Sequence, residues 1–85
     1  MRTLEIEQVI FDLEEIRVVI RASAGAQLGN YQYSRKAAGN TSVNEWLQQR
    51  VIPVVAGHEV AVIDGTGRFP HGRTNMETLR ASYSR

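Results

Sequence analysis

The sequence has no cysteine, two prolines, a single lysine and only six aromatic side chains. Without cysteine, a disulfide framework and a thiolate metal site are both excluded. That absence suits a reducing compartment, so a cytoplasmic location is expected. No apolar run exceeds a few residues, whereas crossing a bilayer takes about 20, so no membrane contact is expected. The start, Met1-Arg2-Thr3-Leu4-Glu5, is acidic early and lacks an apolar h-region, which argues against a signal peptide.

The motifs of common chemistries are missing as well. None of Ser23, Ser34, Ser42, Ser82 or Ser84 sits in a Gly-x-Ser-x-Gly elbow. Gly65 and Gly67 make only part of a dinucleotide fingerprint, and no Gly-Lys-Ser or Gly-Lys-Thr closes a phosphate-binding loop. His58 and His71 do not have the spacing of a ligand pair on one helix face, and a surface position is the simpler reading for both. No pair of carboxylates stands at convincing positions for acid–base work. No catalytic residue, cofactor or metal is therefore expected.

What is present describes one domain spanning residues 1–85. Hydrophobic residues make up 42% and charged residues 22%, a balance that argues against general disorder. The formal net charge of +1 is too small to indicate nucleic-acid binding by itself. Its distribution is uneven. Residues 1–15 hold Glu5, Glu7, Asp12, Glu14 and Glu15 against Arg2, and the basic excess lies downstream. Opposed charge of this kind can steer a partner or a second copy of the chain. It also fits a first hairpin with a solvated acidic edge. Every basic residue except Lys36 is arginine, the side chain suited to bidentate carboxylate contacts, although base composition of the genome can produce the same bias.

Leu4 to Phe11 and Ile16 to Ala22 are rich in β-branched residues. In the second run Ile16, Val18, Ile20 and Ala22 share one face, a strand period. In the first run Ile6, Val9, Ile10 and Leu13 also fit a helical stripe, but the β-branched residues favour a strand, with Asp12-Leu13-Glu14-Glu15 as the hairpin connection. Ser23 to Asn30 reads as a loop. Tyr31, Tyr33 and Arg35 alternate as in a third, half-exposed strand or an ordered loop. Ser42 and Glu45 have capping-box spacing and open a helix whose apolar face is Val43, Trp46, Leu47 and Val51; Pro53 ends or kinks it at Ile52. Ala56-Gly57-His58 turns the chain into a strand at Glu59 to Ile63, with apolar residues on both faces as in a central position. Asp64-Gly65-Thr66-Gly67 forms a turn. Thr74 and Glu77 repeat the capping-box spacing ahead of a stripe of Met76, Leu79 and Tyr83.

These elements predict an α+β domain. Its small, mainly antiparallel sheet has three to four strands with two helices on one face, in the order β-β-(β)-α-β-α. Hairpin, helix, strand resembles the opening order of the ubiquitin-like β-grasp fold. The likeness is one of order, and no closing strand follows Tyr83.

Two segments carry candidate contact residues. Tyr31, Tyr33, Arg35 and Lys36 form an aromatic–basic cluster that can serve as protein-interface anchors. The same residues can stack bases and contact phosphates, or the tyrosines can pack along a strand edge. In the loop from Asp64 to Thr74, Arg68, His71 and Arg73 stand beside glycines and the start of the last helix. There they can meet a protein partner, or an anion held by free helix N–H groups. An enzymatic site around Asp64, His71 and Arg73 would require one concavity holding all three. The reading that follows is a small non-enzymatic interaction module of adaptor or inhibitor type, binding a protein partner through exposed tyrosine and arginine. A nucleic-acid-binding domain and a small-anion or enzymatic site are the alternatives. Self-association is a further possibility, because a core this small can be completed by dimerisation.

Overall fold

Helix, not strand, begins the chain. The computed structural model describes residues 1–23, 25–55 and 57–83. Ala24, Ala56 and Ser84, which belong to the expected loop, the expected turn and the serines considered above, lie outside the described residues. Helix α1 runs Thr3–Glu14, strand β1 Arg17–Arg21, and helix α2 Val43–Trp46. A π-turn, Leu47–Val51, continues α2; strand β2 spans Glu59–Ile63 and helix α3 Met76–Ala81.

The α+β class holds, with fewer strands and more helices than expected. Among the described residues the sheet is a two-stranded antiparallel pair, β1 with β2, and there are three α-helices. Residues 4–11 form helix because burial follows the helical stripe. Ile6 and Ile10, four residues apart, are fully buried, while Leu4 and Phe11 are exposed. Glu5 accepts from the Arg2 N–H at the first turn, and Glu15 closes the last turn in a left-handed conformation, φ 64°, its N–H on the Phe11 carbonyl.

Residues 31–35 are loop, not a third strand. The segment is organised by sending Tyr31 into the core rather than by pairing its backbone; Tyr31 is 2% exposed. Backbone anchors flank it upstream, where Leu28 N–H meets the Met1 carbonyl and Gly29 N–H the Val54 carbonyl. Among the described residues no third strand pairs with β2, so it is an edge strand and not a central one.

The β1–β2 register pairs Val18 with Val62 and Ile20 with Val60. Those four side chains form the inner face of the sheet, and Val18, Ile20 and Val62 are buried. The core they join includes Ile6, Ile10, Trp46, Val51, Met76 and Leu79. Trp46 and Val51 are both fully buried five residues apart, which the π-turn permits: Ile52 N–H reaches the Leu47 carbonyl at 2.8 Å.

Helices α2 and α3 start side by side. Ser42 makes the expected capping box with Glu45. The cap of α3 is Asn75, one residue beyond the expected Thr74, with its side-chain oxygen on the Thr78 N–H at 2.8 Å. The shift follows from tertiary pairing. Thr74 gives its carbonyl to the Val43 N–H, and Ser42 and Asn75 form a β-bridge.

Candidate interaction surface

One residue of the aromatic–basic segment, Tyr31, enters a buried polar cluster. Its centre is Glu14, a fully buried carboxylate at the end of α1. One oxygen accepts from the Tyr31 hydroxyl at 2.5 Å, the Trp46 indole N–H at 3.2 Å and the Arg50 guanidinium at 2.8 Å. The other accepts from the Ala37 N–H at 2.8 Å and the Arg80 guanidinium at 3.0 Å. Burial pushes the Glu14 pKa up. The Tyr31 hydroxyl, the Ala37 N–H, the Arg50 charge and the Trp46 N–H outweigh it, and the net shift is downward. Burial and the hydrogen bond to Glu14 raise the Tyr31 pKa.

Tyr31 is therefore not an exposed anchor. The reason is that its hydroxyl finds a buried carboxylate within reach. Tyr33 packs edge-on against it, with ring centroids 4.9 Å apart, and the Arg50 guanidinium lies 4.2 Å from the Tyr33 ring centre. The Arg35 carbonyl also accepts from Arg50, and Lys36 pairs with Glu15 at 2.6 Å on the surface. The structure thus takes Tyr31 out of the pair of outward tyrosines and leaves Tyr33, 39% exposed, at the surface with Arg35 and Lys36.

The loop from Asp64 to Thr74 behaves differently. Asp64 organises its own turn, taking the Thr66 hydroxyl, the Arg68 N–H and the Thr66 N–H, and these bonds hold its carboxyl below the usual range. His71 Nδ1 accepts from the Arg73 N–H at 3.1 Å. Asp64, Arg68 and His71 line one concavity of about 330 Å³ with Thr74 and Ser82; Arg73 is not on that lining. Of the three groups that an enzymatic site here would require in one concavity, Asp64 and His71 share it and Arg73 does not. The N–H groups at the start of α3 are already bonded: Met76 to the Thr41 carbonyl, Glu77 to the Gly39 carbonyl and Thr78 to Asn75. They are not free to hold an anion, because the neighbouring helix entry supplies the acceptors. Among the described residues no three His, Asp or Glu side chains gather as a metal site, and no helix is long and apolar enough to cross a membrane.

On the other side of this loop, Phe69 projects into solvent with 73% of its surface exposed. Phe69, Pro70 and Gly72 form one wall of a groove of about 350 Å³; Val43, Asn44 and Leu47 of the α2 region and the edge of β2 complete it. The wall is fixed to α2 by the Asn44 N–H on the Gly72 carbonyl at 3.0 Å. A β-carbon at Gly72 would meet the end of the Asn44 side chain, so Gly72 lets the two approach closely. Sequence reasoning found Arg68, His71 and Arg73 but missed Phe69 and the groove. An isolated phenylalanine in a glycine-rich loop was the available signal. A third concavity, about 480 Å³, lies between α1 and β1, with Leu4, Phe11 and Val19 on its lining.

Comparison with models of known protein families, with curated proteins and with solved structures returned no match.

Proposed function

We propose that the chain is a non-enzymatic interaction module. It binds a protein partner on the face made by the β2 edge, the start of α2 and the loop from Asp64 to Thr74. The observation that carries this reading is Phe69, a large apolar side chain held out on a wall tied to a helix and bordering a groove lined by Val43, Leu47 and Pro70 together with Arg21, Asn44 and Glu59. An aromatic anchor beside arginine is the pattern enriched at interface centres. Arg68 and Arg73 bracket the wall in sequence, and His71 lies between them. Tyr31 is buried, so contact moves from it to this loop. Nucleic-acid binding loses one of its two stacking tyrosines with the burial of Tyr31.

The test compares partner capture by the wild-type chain with capture by Phe69→Ala, Arg68→Ala and Arg73→Ala variants whose folding is verified by circular dichroism. Loss of a defined protein from the variants, with retention by Arg35→Ala, supports the reading. Undiminished capture by all three loop variants would sink it.

A further inference from the structure

Resting on that reading, we propose that the partner is a second copy of the chain. The two copies stack the outer faces of their sheets about a twofold axis parallel to the strands. Val18, Ile20, Val60 and Val62 form the inner face of the β1–β2 pair. By alternation Arg17, Val19 and Arg21 of β1 form the outer face with Glu59, Ala61 and Ile63 of β2. Val19 is 41% exposed, and Ala61 and Ile63 are only half-buried. An apolar centre on the second face of a sheet is what a further layer covers in a packed domain.

The flanks of this face are apolar as well. Helix α1 lies along β1, where Glu7 accepts from the Ile20 N–H at 2.8 Å. Its exposed Leu4 and Phe11 line one concavity with Arg17, Val19 and Ile63. The loop carrying Phe69 and Pro70 lies along β2 and shares its groove with Arg21, Glu59 and Ala61. Exposed apolar side chains thus run from α1 across Val19 to Phe69, a distribution that marks an interaction surface.

Charge selects the occupant, because the face is complementary to itself. Arg21 and Glu59 stand in register, and among the described residues neither belongs to an ion pair. A twofold axis parallel to the strands lays β1 of one copy over β2 of the other, level by level. Arg21 then meets the partner's Glu59, and Glu59 meets the partner's Arg21, so four charges alternate in sign. Val19 meets the partner's Ala61, a small residue that permits a sheet spacing of about 10 Å. The same rotation sets Leu4 and Phe11 on the side of the partner's Phe69, because α1 flanks β1 and the Phe69 loop flanks β2. An axis across the strands would instead lay Arg17 on the partner's Arg21, two like charges.

Sedimentation of the intact chain over a range of concentrations tests this, with the fold of each variant checked by circular dichroism. The wild-type chain is expected to form a dimer. Arg21→Glu and Glu59→Arg are each expected to sediment as monomers, and their equimolar mixture as a dimer containing one of each. Mixing leaves the strand pair within each chain unchanged, so recovery reports the interface and not the fold. Val19→Asp is expected to weaken the dimer about tenfold or more, since each copy then buries an unpaired charge. Should either charge variant fail to fold, Val19→Asp decides. A wild-type chain that stays monomeric at every concentration overturns the second copy; the interaction module then stands if another protein is captured by wild type and lost with Phe69→Ala. A dimer that survives Val19→Asp, or folded charge variants that do not recover on mixing, overturns the proposed face.

Discussion

Glu14 is a carboxylate with no solvent exposure that accepts from Tyr31, Ala37, Trp46, Arg50 and Arg80. Such a group is costly to desolvate, and removing it strands its donors. Glu14→Gln, which turns an NH2 toward those donors, is expected to lose about 3–5 kcal/mol. That is a large part of the roughly 5–15 kcal/mol available to a domain. Urea titration followed by Trp46 fluorescence checks it. The pH dependence has a definite sign. The folded-state pKa of Glu14 lies below its ordinary 4.5, so its contribution is fully present above that value and is lost as pH falls through the lower folded value. The gap between wild type and Glu14→Gln should therefore narrow as melts are repeated from neutral pH down to about 3. Glu15 makes the opposite case. It sits at φ 64°, where glycine is at ease, and its pair with Lys36 is exposed on both sides. Glu15→Gly is expected to raise stability by up to about 1 kcal/mol, read from the same titration.

At the scale of elements, the helix entries and the turn after β2 depend on contacts distant in sequence. Asn75 caps α3, and Thr74 instead gives its carbonyl to Val43. Asn75→Ala should cost about 1 kcal/mol, and Thr74→Ala distinctly less, measured side by side by thermal melting. The turn after β2 meets the end of α3 where the Gly65 N–H donates to the Ser82 hydroxyl at 2.8 Å. A β-carbon on Gly65 would overlap the Ser82 backbone carbonyl, so Gly65→Ala must push α3 from the sheet. The expected result is a loss of about 1–3 kcal/mol, the range of overpacking, visible as a lowered Tm.

Across the whole molecule, a two-stranded sheet is too small to stand alone, and the three helices supply the rest of the core. Glu14 joins the end of α1, the loop at Tyr31 and Ala37, the α2 region through Trp46 and Arg50, and α3 through Arg80. With one charge shared by so many segments, unfolding should be a single transition. Trp46 fluorescence and far-ultraviolet circular dichroism should then give coincident curves in urea. Early loss of the Trp46 signal alone would show that the hub opens before the sheet and helices.

Local pattern was enough for the α+β class, for β1 and β2 from their β-branched runs, and for the Ser42 cap. It also marked Trp46 as core and Asp64 as a turn former. These features depend on side chains a few residues apart, which adjacent residues determine directly. The structure of residues 3–14 lay beyond that reach. Its β-branched residues suit a strand, and only burial of Ile6 and Ile10 against distant segments selects helix. The fate of Tyr31 was out of reach for the same reason, since its partner Glu14 lies in another element and looked like one more surface acid. That Phe69 stands on a groove bounded by β2 and the start of α2 was decided only when the loop from Phe69 to Gly72 packed on α2. Long-range pairing and burial settle such matters, and both depend on the assembled core rather than on neighbouring residues in the chain.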